Sequence, residues 1–178
     1  IRIVGALTDI SERKQRDEQI YRMAYYDELT GLPNRSCLEK ILSEKSLPDK
    51  AEGALLFIDL DNFKLINDTF GHHFGDKILK KTGKLLQQLC TSDICVRMGG
   101  DEFLIAIHGK TSVDRLVDKA NSLIQKIRDH FPGTASLQPL SVSIGIATVS
   151  GDSKVQLEDL LRKSDIALYR AKHCGKHQ

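Results

Sequence analysis

Arg97-Met98-Gly99-Gly100-Asp101-Glu102-Phe103 lies between two short apolar segments, Ile94 to Met98 and Glu102 to His108. Paired glycines supply the positive φ that a tight reversal needs, so the stretch reads as two strands closed by a hairpin with two carboxylates at its tip. Backbone without side chains also lets a phosphate come close. A second cluster is Phe57-Ile58-Asp59-Leu60-Asp61-Asn62-Phe63-Lys64, in which an apolar strand, Ala54 to Asp59, ends abruptly in two carboxylates and a lysine. Charged groups at the end of a buried strand stand where open sheets bind ligands. If the two strands are neighbours, Asp59 and Asp101 converge. Hard oxygen donors of this kind suit Mg²⁺, which takes a few carboxylates together with substrate phosphates. The chemistry that follows is metal-assisted phosphoryl or nucleotidyl transfer. Alone, a D-x-D is more often a solvated strand end and a Gly-Gly-Asp more often only a turn. Their combination, close to Asn67, His72 and Asp76, gives them weight.

Outward from these clusters the chain alternates strands and helices. The segment Asp27-Glu28-Leu29-Thr30-Gly31-Leu32-Pro33-Asn34-Arg35 is turn-rich and feeds a helix capped near Asn34. Helices are expected at Phe63 to Asp68 and at Gly75 to Cys90, the latter with Ile78, Leu79, Leu85, Leu86 and Leu89 as its apolar face. A helix at Val113 to Arg128, a strand at Leu140 to Ser150 and a last helix at Leu157 to Lys172 complete the pattern. Strands interleaved with helices around one hairpin predict an α/β (α+β) sheet with helices packed against it.

The N-terminal stretch is different in character. Ile1 to Thr8 reads as a strand that runs into a strongly polar helix, Ser11 to Tyr26, with Ile20, Met23 and Ala24 on one side and Tyr21 and Tyr25 near them. That thin apolar stripe suits an interdomain or coiled-coil connector. A lone strand cannot bury itself, so residues 1–10 are expected to belong to the sheet of an upstream domain. The chain opens at Ile1 without Met and is read as a fragment of a longer protein, residues 1–26 being the end of that upstream domain and a connector helix, and residues 27–178 one domain.

Composition narrows the function classes. Among 178 residues, 26 Lys plus Arg against 24 Asp plus Glu leave a net charge of +2, without the single-sign field that nucleic-acid binding needs. No apolar run approaches the ~20 residues of a membrane span, so no membrane contact by this fragment and a cytoplasmic location are expected. Cys37, Cys90, Cys95 and Cys174 lack metal-like spacing and read as thiols of a reducing compartment. His173, Cys174 and His177 read as a frayed helix end rather than a metal site.

The sequence resembles the GGDEF family of diguanylate cyclases, which condense two GTP into cyclic di-GMP. The resemblance is carried by Gly99-Gly100-Asp101-Glu102-Phe103, by Asp27 to Arg35, by Asp59 to Lys64, by Asn67-Asp68-Thr69-Phe70-Gly71-His72 with Gly75-Asp76, by Ser143-Ile144-Gly145-Ile146-Ala147, and by Asp165 to Tyr169 leading to Ala171-Lys172. The first residues are similar to the end of a PAS sensor domain, whose last strand closes in a D-I-(S/T)-E-R-K sequence. The family fold so implied is a mainly antiparallel sheet flanked by helices, similar to polymerase palms and class III adenylyl cyclases.

Residue by residue, the resemblance implies two Mg²⁺ per site, with Mn²⁺ as an alternative, held by Asp59, Asp101 and the Leu60 carbonyl. Two such cations would neutralise charge on the triphosphate and acidify the attacking ribose 3′-OH. Asp101 is the implied base, with Glu102 as a second acidic catalytic group. Gly99 and Gly100 would leave room for the α-phosphate. The turn at Asn62, Phe63 and Lys64 would cradle the outer phosphates, and Lys172 and Lys176 would clamp them. Lys176 stands where the family usually has Arg, which keeps charge but loses the bidentate fork. Asn67, His72 and Asp76 match positions at the guanine. A carboxylate only accepts hydrogen bonds, and guanine offers N1–H and a 2-amino group where adenine has a bare N1, so GTP is expected over ATP.

The family's R-x-x-D product-inhibition window here reads Cys90-Thr91-Ser92-Asp93, with Asp93 present and Cys90 in place of Arg, so the inhibitory site is expected to be degenerate. One GTP per domain and two per product imply a transient or signal-controlled homodimer with two-fold symmetry. The rival readings are a catalytically silent GTP-binding module, against which the intact acidic residues argue, and a pure dimerisation scaffold, which nucleotide-dependent stabilisation would exclude.

Overall fold

The computed structural model describes residues 11–44, 52–133, 139–149 and 157–173. The expected strand at Ile1 to Thr8 and the residues Lys176, Cys174 and His177 lie outside these. In chain order the elements are α1 Ser11–Tyr25, α2 Arg35–Glu44, β1 Gly53–Leu60, α3 Phe63–Phe70, α4 His72–Leu89, β2 Ile94–Gly99, β3 Glu102–His108, α5 Val113–His130, β4 Val142–Val149 and α6 Leu157–His173.

The four strands form one sheet in the order β2-β3-β1-β4. Every neighbouring pair is antiparallel. β1 is apolar up to Asp59 because both its faces are covered. Ala54, Leu56, Ile58 and Leu60 pack with Ile66 of α3, Ile78, Leu79 and Leu86 of α4, and Leu116, Leu123 and Ile127 of α5. Leu55 and Phe57 alternate to the other face and pack with Leu38 of α2 and with Leu160 and Leu168 of α6. Fully burying each large aliphatic or aromatic side chain contributes about 1.5–3 kcal/mol, and these two layers hold the sheet between them.

Some boundaries differ from the sequence expectation for local reasons. α4 begins at His72 rather than Gly75, since Gly71, at φ 81°, ends α3 and starts α4 in one step. β4 begins at Val142 rather than Leu140, because Leu140 N–H is drawn to Phe131 O (3.2 Å) and Ser141 O accepts from Asp61 N–H (2.9 Å). α2 is capped as expected, with Asn34 Oδ1 accepting from Cys37 N–H at 3.0 Å.

α1 stands apart from the layers. Exposed Arg13–Asp17, Arg16–Glu12 and Arg22–Glu18 pairs, spaced for one helix face, line it. Its contact with the domain runs through Tyr21 and Tyr25, over whose rings Lys40 of α2 sits at 4.9 and 4.4 Å. Ile20 (63% exposed) and Met23 (69%) remain uncovered. No helix among the described residues is long and apolar enough to cross a membrane.

Candidate active site

Strand alternation decides where the acidic residues point. Asp59 continues the row of Leu55 and Phe57, on the α6 face of β1, and the register pairs it with Glu102 on β3. Glu102 shares the face of Leu104, whereas Phe103 and Ile105 turn to the opposite layer. Asp101 sits at the turn, where its carbonyl accepts from Leu60 N–H at 3.3 Å. The turn is made by Gly99 (φ 147°) and Gly100 (φ 50°), and no heavy atom would meet a Cβ at either. The structure therefore brings Asp59, Asp101 and Glu102 to one end of the central strands.

α6 completes this end by coming unusually close to the sheet. A Cβ at Gly145 of β4 would lie 2.1 Å from Ser164 O and 2.4 Å from Leu168 N, so the helix backbone rests on the strand backbone. One turn beyond Leu168, Lys172 reaches across, and its Nζ lies 2.7 Å from Asp59 Oδ2. Burial pushes the Asp59 carboxyl above its ordinary range; the Lys172 hydrogen bond opposes this, and the charges of Asp101 and Asp61 add to it. Glu102 is likewise raised, by burial first and then by Asp59, Asp101 and Asp165. Like charges directly opposite on neighbouring strands repel. The patch thus carries more negative charge than Lys172 offsets, and its hard oxygen donors fit a small divalent cation. Among the described residues no group of three or more His, Cys, Asp or Glu could hold a metal ion, so a cation here would depend on substrate phosphates for further ligands.

The D-x-D pair divides its labour. Asp61 is buried, accepting hydrogen bonds from the Ser141 hydroxyl and, at 2.8 Å, from the Ser143 hydroxyl. This ties the end of β1 to β4. Asn62 follows in the left-handed region, φ 60° and ψ 23°, turning the chain into α3. Phe63 is then buried in the core while Lys64 is exposed. The sequence reading gave a role to Asp59 and none to Asp61, and it missed the serines.

A second support was also missed. Arg97 Nη1 donates to both carboxylate oxygens of Asp27 at 2.9 Å, while its Nη2 donates to Gly100 O at 2.7 Å. Thr30 adds its backbone N–H and its hydroxyl to Asp27 Oδ1. Burial pushes the Asp27 carboxyl up, but the hydrogen bonds of Thr30 and Arg97 outweigh it and hold it below the ordinary range. One guanidinium therefore joins the turn after α1 to the glycine hairpin. Nothing in residue spacing pairs positions 70 apart, though an Arg shortly before the glycines and an Asp in a turn were the available signal.

Asn67 of α3 packs against Gly75 of α4, the residue before Asp76. A Cβ at Gly75 would be 1.9 Å from Asn67 Oδ1, which is buried and has no hydrogen-bond partner. His72 begins α4 and is exposed. The expected inhibitory window has a different occupant: Cys90 is buried at the end of α4, and the Asp93 carboxylate is held by Lys119 Nζ at 2.7 Å.

Residues 24–178 match the family model described as "Diguanylate cyclase, GGDEF domain". The chain is 38% identical over 175 residues to the signaling protein YkoW of Bacillus subtilis, covering 94% of this chain and 22% of that protein. It is 33% identical over 183 residues to a diguanylate cyclase of Vibrio cholerae, covering 100% of this chain and 56% of that one. The chain thus spans between a fifth and somewhat over half of these relatives. The coiled coil and GGDEF domain of DgcB from Caulobacter crescentus, solved in complex with c-di-GMP, superposes with a TM-score of 0.80 at 21% identity, covering 96% of this chain and 92% of that one. That likeness extends to the fold.

Proposed function

The chain belongs to the GGDEF family of diguanylate cyclase domains, and from that premise we propose that it condenses two GTP into cyclic di-GMP and pyrophosphate across a transient homodimer. The observation that carries this reading is the meeting of Asp59, Asp101 and Glu102 beside an open glycine turn, with Lys172 as their cation. Mg²⁺, or Mn²⁺ in its place, would be held by Asp59, Asp101 and the Leu60 carbonyl, and when bound would neutralise phosphate charge and acidify the ribose 3′-OH. Asp101 accepts the proton of that hydroxyl, with Glu102 as the second carboxylate beside it. Gly99 and Gly100 leave the α-phosphate access to the backbone. The first turn of α3, at Asn62, Phe63 and Lys64, would present a helix N-terminus to the outer phosphates, and Lys172 and Lys176 contribute positive charge.

Asp76 and Asn67 read the base, with His72 close by. Facing adenine, the Asp76 carboxylate would meet a lone pair instead of two donors, a cost of about 1–3 kcal/mol, so GTP is used about 5- to 150-fold better than ATP. With Cys90 buried and Asp93 engaged by Lys119, cyclic di-GMP inhibits weakly through that window. Residues 1–26 serve as connector, and the uncovered side of α1, with Ile20 and Met23, brings two copies of the 27–178 domain together.

The test is product formation from GTP and Mg²⁺ over a series of chain concentrations, with Asp101→Ala and ATP alongside. With GTP, cyclic di-GMP rising more steeply than linearly and absent with Asp101→Ala, and cyclic dinucleotide forming more slowly from ATP than from GTP, are the expected results. Mg²⁺-dependent GTP binding without product, even when α1 is replaced by a dimerising coiled coil, would instead assign a silent GTP-binding module.

A further inference from the structure

Lys172 is required in two places. The resemblance puts its charge on substrate phosphates, yet its ammonium lies 2.7 Å from Asp59 Oδ2, the carboxylate meant for a divalent cation. The two occupancies exclude each other, since an ion bound to Asp59 and an ammonium on the same carboxylate are like charges a few ångströms apart in a half-buried site. The backbone of α6 has no freedom to resolve this, being seated on Gly145. The side chain has: Lys172 is 35% exposed, against 9% for Asp59, and its ammonium sits on a flexible four-carbon stem. Ser143, the residue paired with Asp59 on β4, gives its hydroxyl to Asp61 instead.

We propose that Lys172 is a tethered counter-ion that occupies Asp59 until nucleotide arrives and then passes to the phosphates, so that the divalent ion enters with GTP rather than ahead of it. The proposal rests on the cyclase reading above and deepens it by assigning an order of binding. Lys172 is by this account a positioning residue as well as a phosphate contact. Its removal has opposite effects on the two ligands: the bare ion gains an unneutralised acidic patch, while the nucleotide loses a cation. A lysine that merely braced α6 would weaken both.

The experiment measures Mn²⁺ binding to the nucleotide-free chain by electron paramagnetic resonance of the free ion, for the parent, Lys172→Met, Lys172→Arg and Lys172→Met combined with Asp59→Asn. The GTP analogue with a methylene in place of the α,β-bridging oxygen is then titrated in Mn²⁺. Lys172→Met is expected to bind bare Mn²⁺ about tenfold tighter and the analogue about tenfold weaker, the size of one charge-assisted hydrogen bond. Lys172→Arg should stay close to the parent, and the double variant should lose the gain in Mn²⁺ affinity. Bare Mn²⁺ binding Lys172→Met no tighter than the parent, or not at all, overturns the proposal. If the parent also fails to bind the analogue with Mn²⁺, the cyclase reading falls with it; if it binds, only the order of binding is wrong.

Discussion

Asp59 and Asp61 are two residues apart and chemically identical, yet the fold treats them in opposite ways. Asp61 is buried with serine hydroxyls donating to both carboxylate oxygens, and it fastens β1 to β4. Asp59 faces Glu102 across the sheet, feels Asp101, and has the ammonium of Lys172 as its cation. A carboxylate that serves as framework is saturated with donors. One that serves a ligand is left short of positive charge, at a cost in stability that the ligand later offsets.

The largest effect expected from breaking this contrast is on activity. Asp59→Asn should lower cyclic di-GMP formation by about 10³-fold or more, the order of losing charge stabilisation at a metal-dependent centre, in an assay of product from GTP and Mg²⁺. The next effect is on the framework. Arg97→Ala leaves the Asp27 charge partly buried and releases Gly100, and should cost about 2–4 kcal/mol, read as a fall in Tm of roughly 4–16 °C. Cyclase activity should fall with it at temperatures where the chain is still folded, because the glycine hairpin loses its brace.

The smallest effect sharpens the contrast through pH. A carboxyl raised in the folded state binds its proton more tightly there than in the unfolded chain, so stability falls as pH rises from about 4.5, the ordinary value for Glu102, through the raised folded value. Glu102→Gln removes that slope and should raise the Tm of the ligand-free chain at neutral pH by about 1–3 °C while reducing activity. Asp27 behaves in the opposite sense: its lowered carboxyl contributes stability above its ordinary 3.8 that is lost on further acidification. Thermal melts from pH 2 to pH 8 separate the two.

What was legible in the sequence was what is local. The apolar run of β1, the paired glycines and the carboxylates beside them fix a strand end and a hairpin within a few residues of chain, and the sheet with flanking helices follows from alternation of periods. The supports were not legible, because they are contacts over long separations. Arg97 reaches Asp27 across 70 residues and Ser143 reaches Asp61 across 82, and neither pair has a spacing rule. Lys119 on Asp93 is the same case over 26 residues: the sequence showed the missing Arg at Cys90 but not the cation that takes its acidic neighbour. Lys172 was read from the family resemblance as a phosphate contact, and only the seat of α6 on Gly145 reveals its contact with Asp59.

The most direct measurement makes the same isosteric change on both members of the pair and records, for Asp59→Asn and Asp61→Asn, the Tm without ligand and the rate of cyclic di-GMP formation with Mg²⁺ and GTP. The account predicts opposite signs in stability: Asp59→Asn melts at or above the parent and makes no product, whereas Asp61→Asn melts lower and, where folded, still makes it. Product formed by Asp59→Asn at the parent rate, or an Asp61→Asn chain that is stable but inert, would contradict the division of labour on which the account stands.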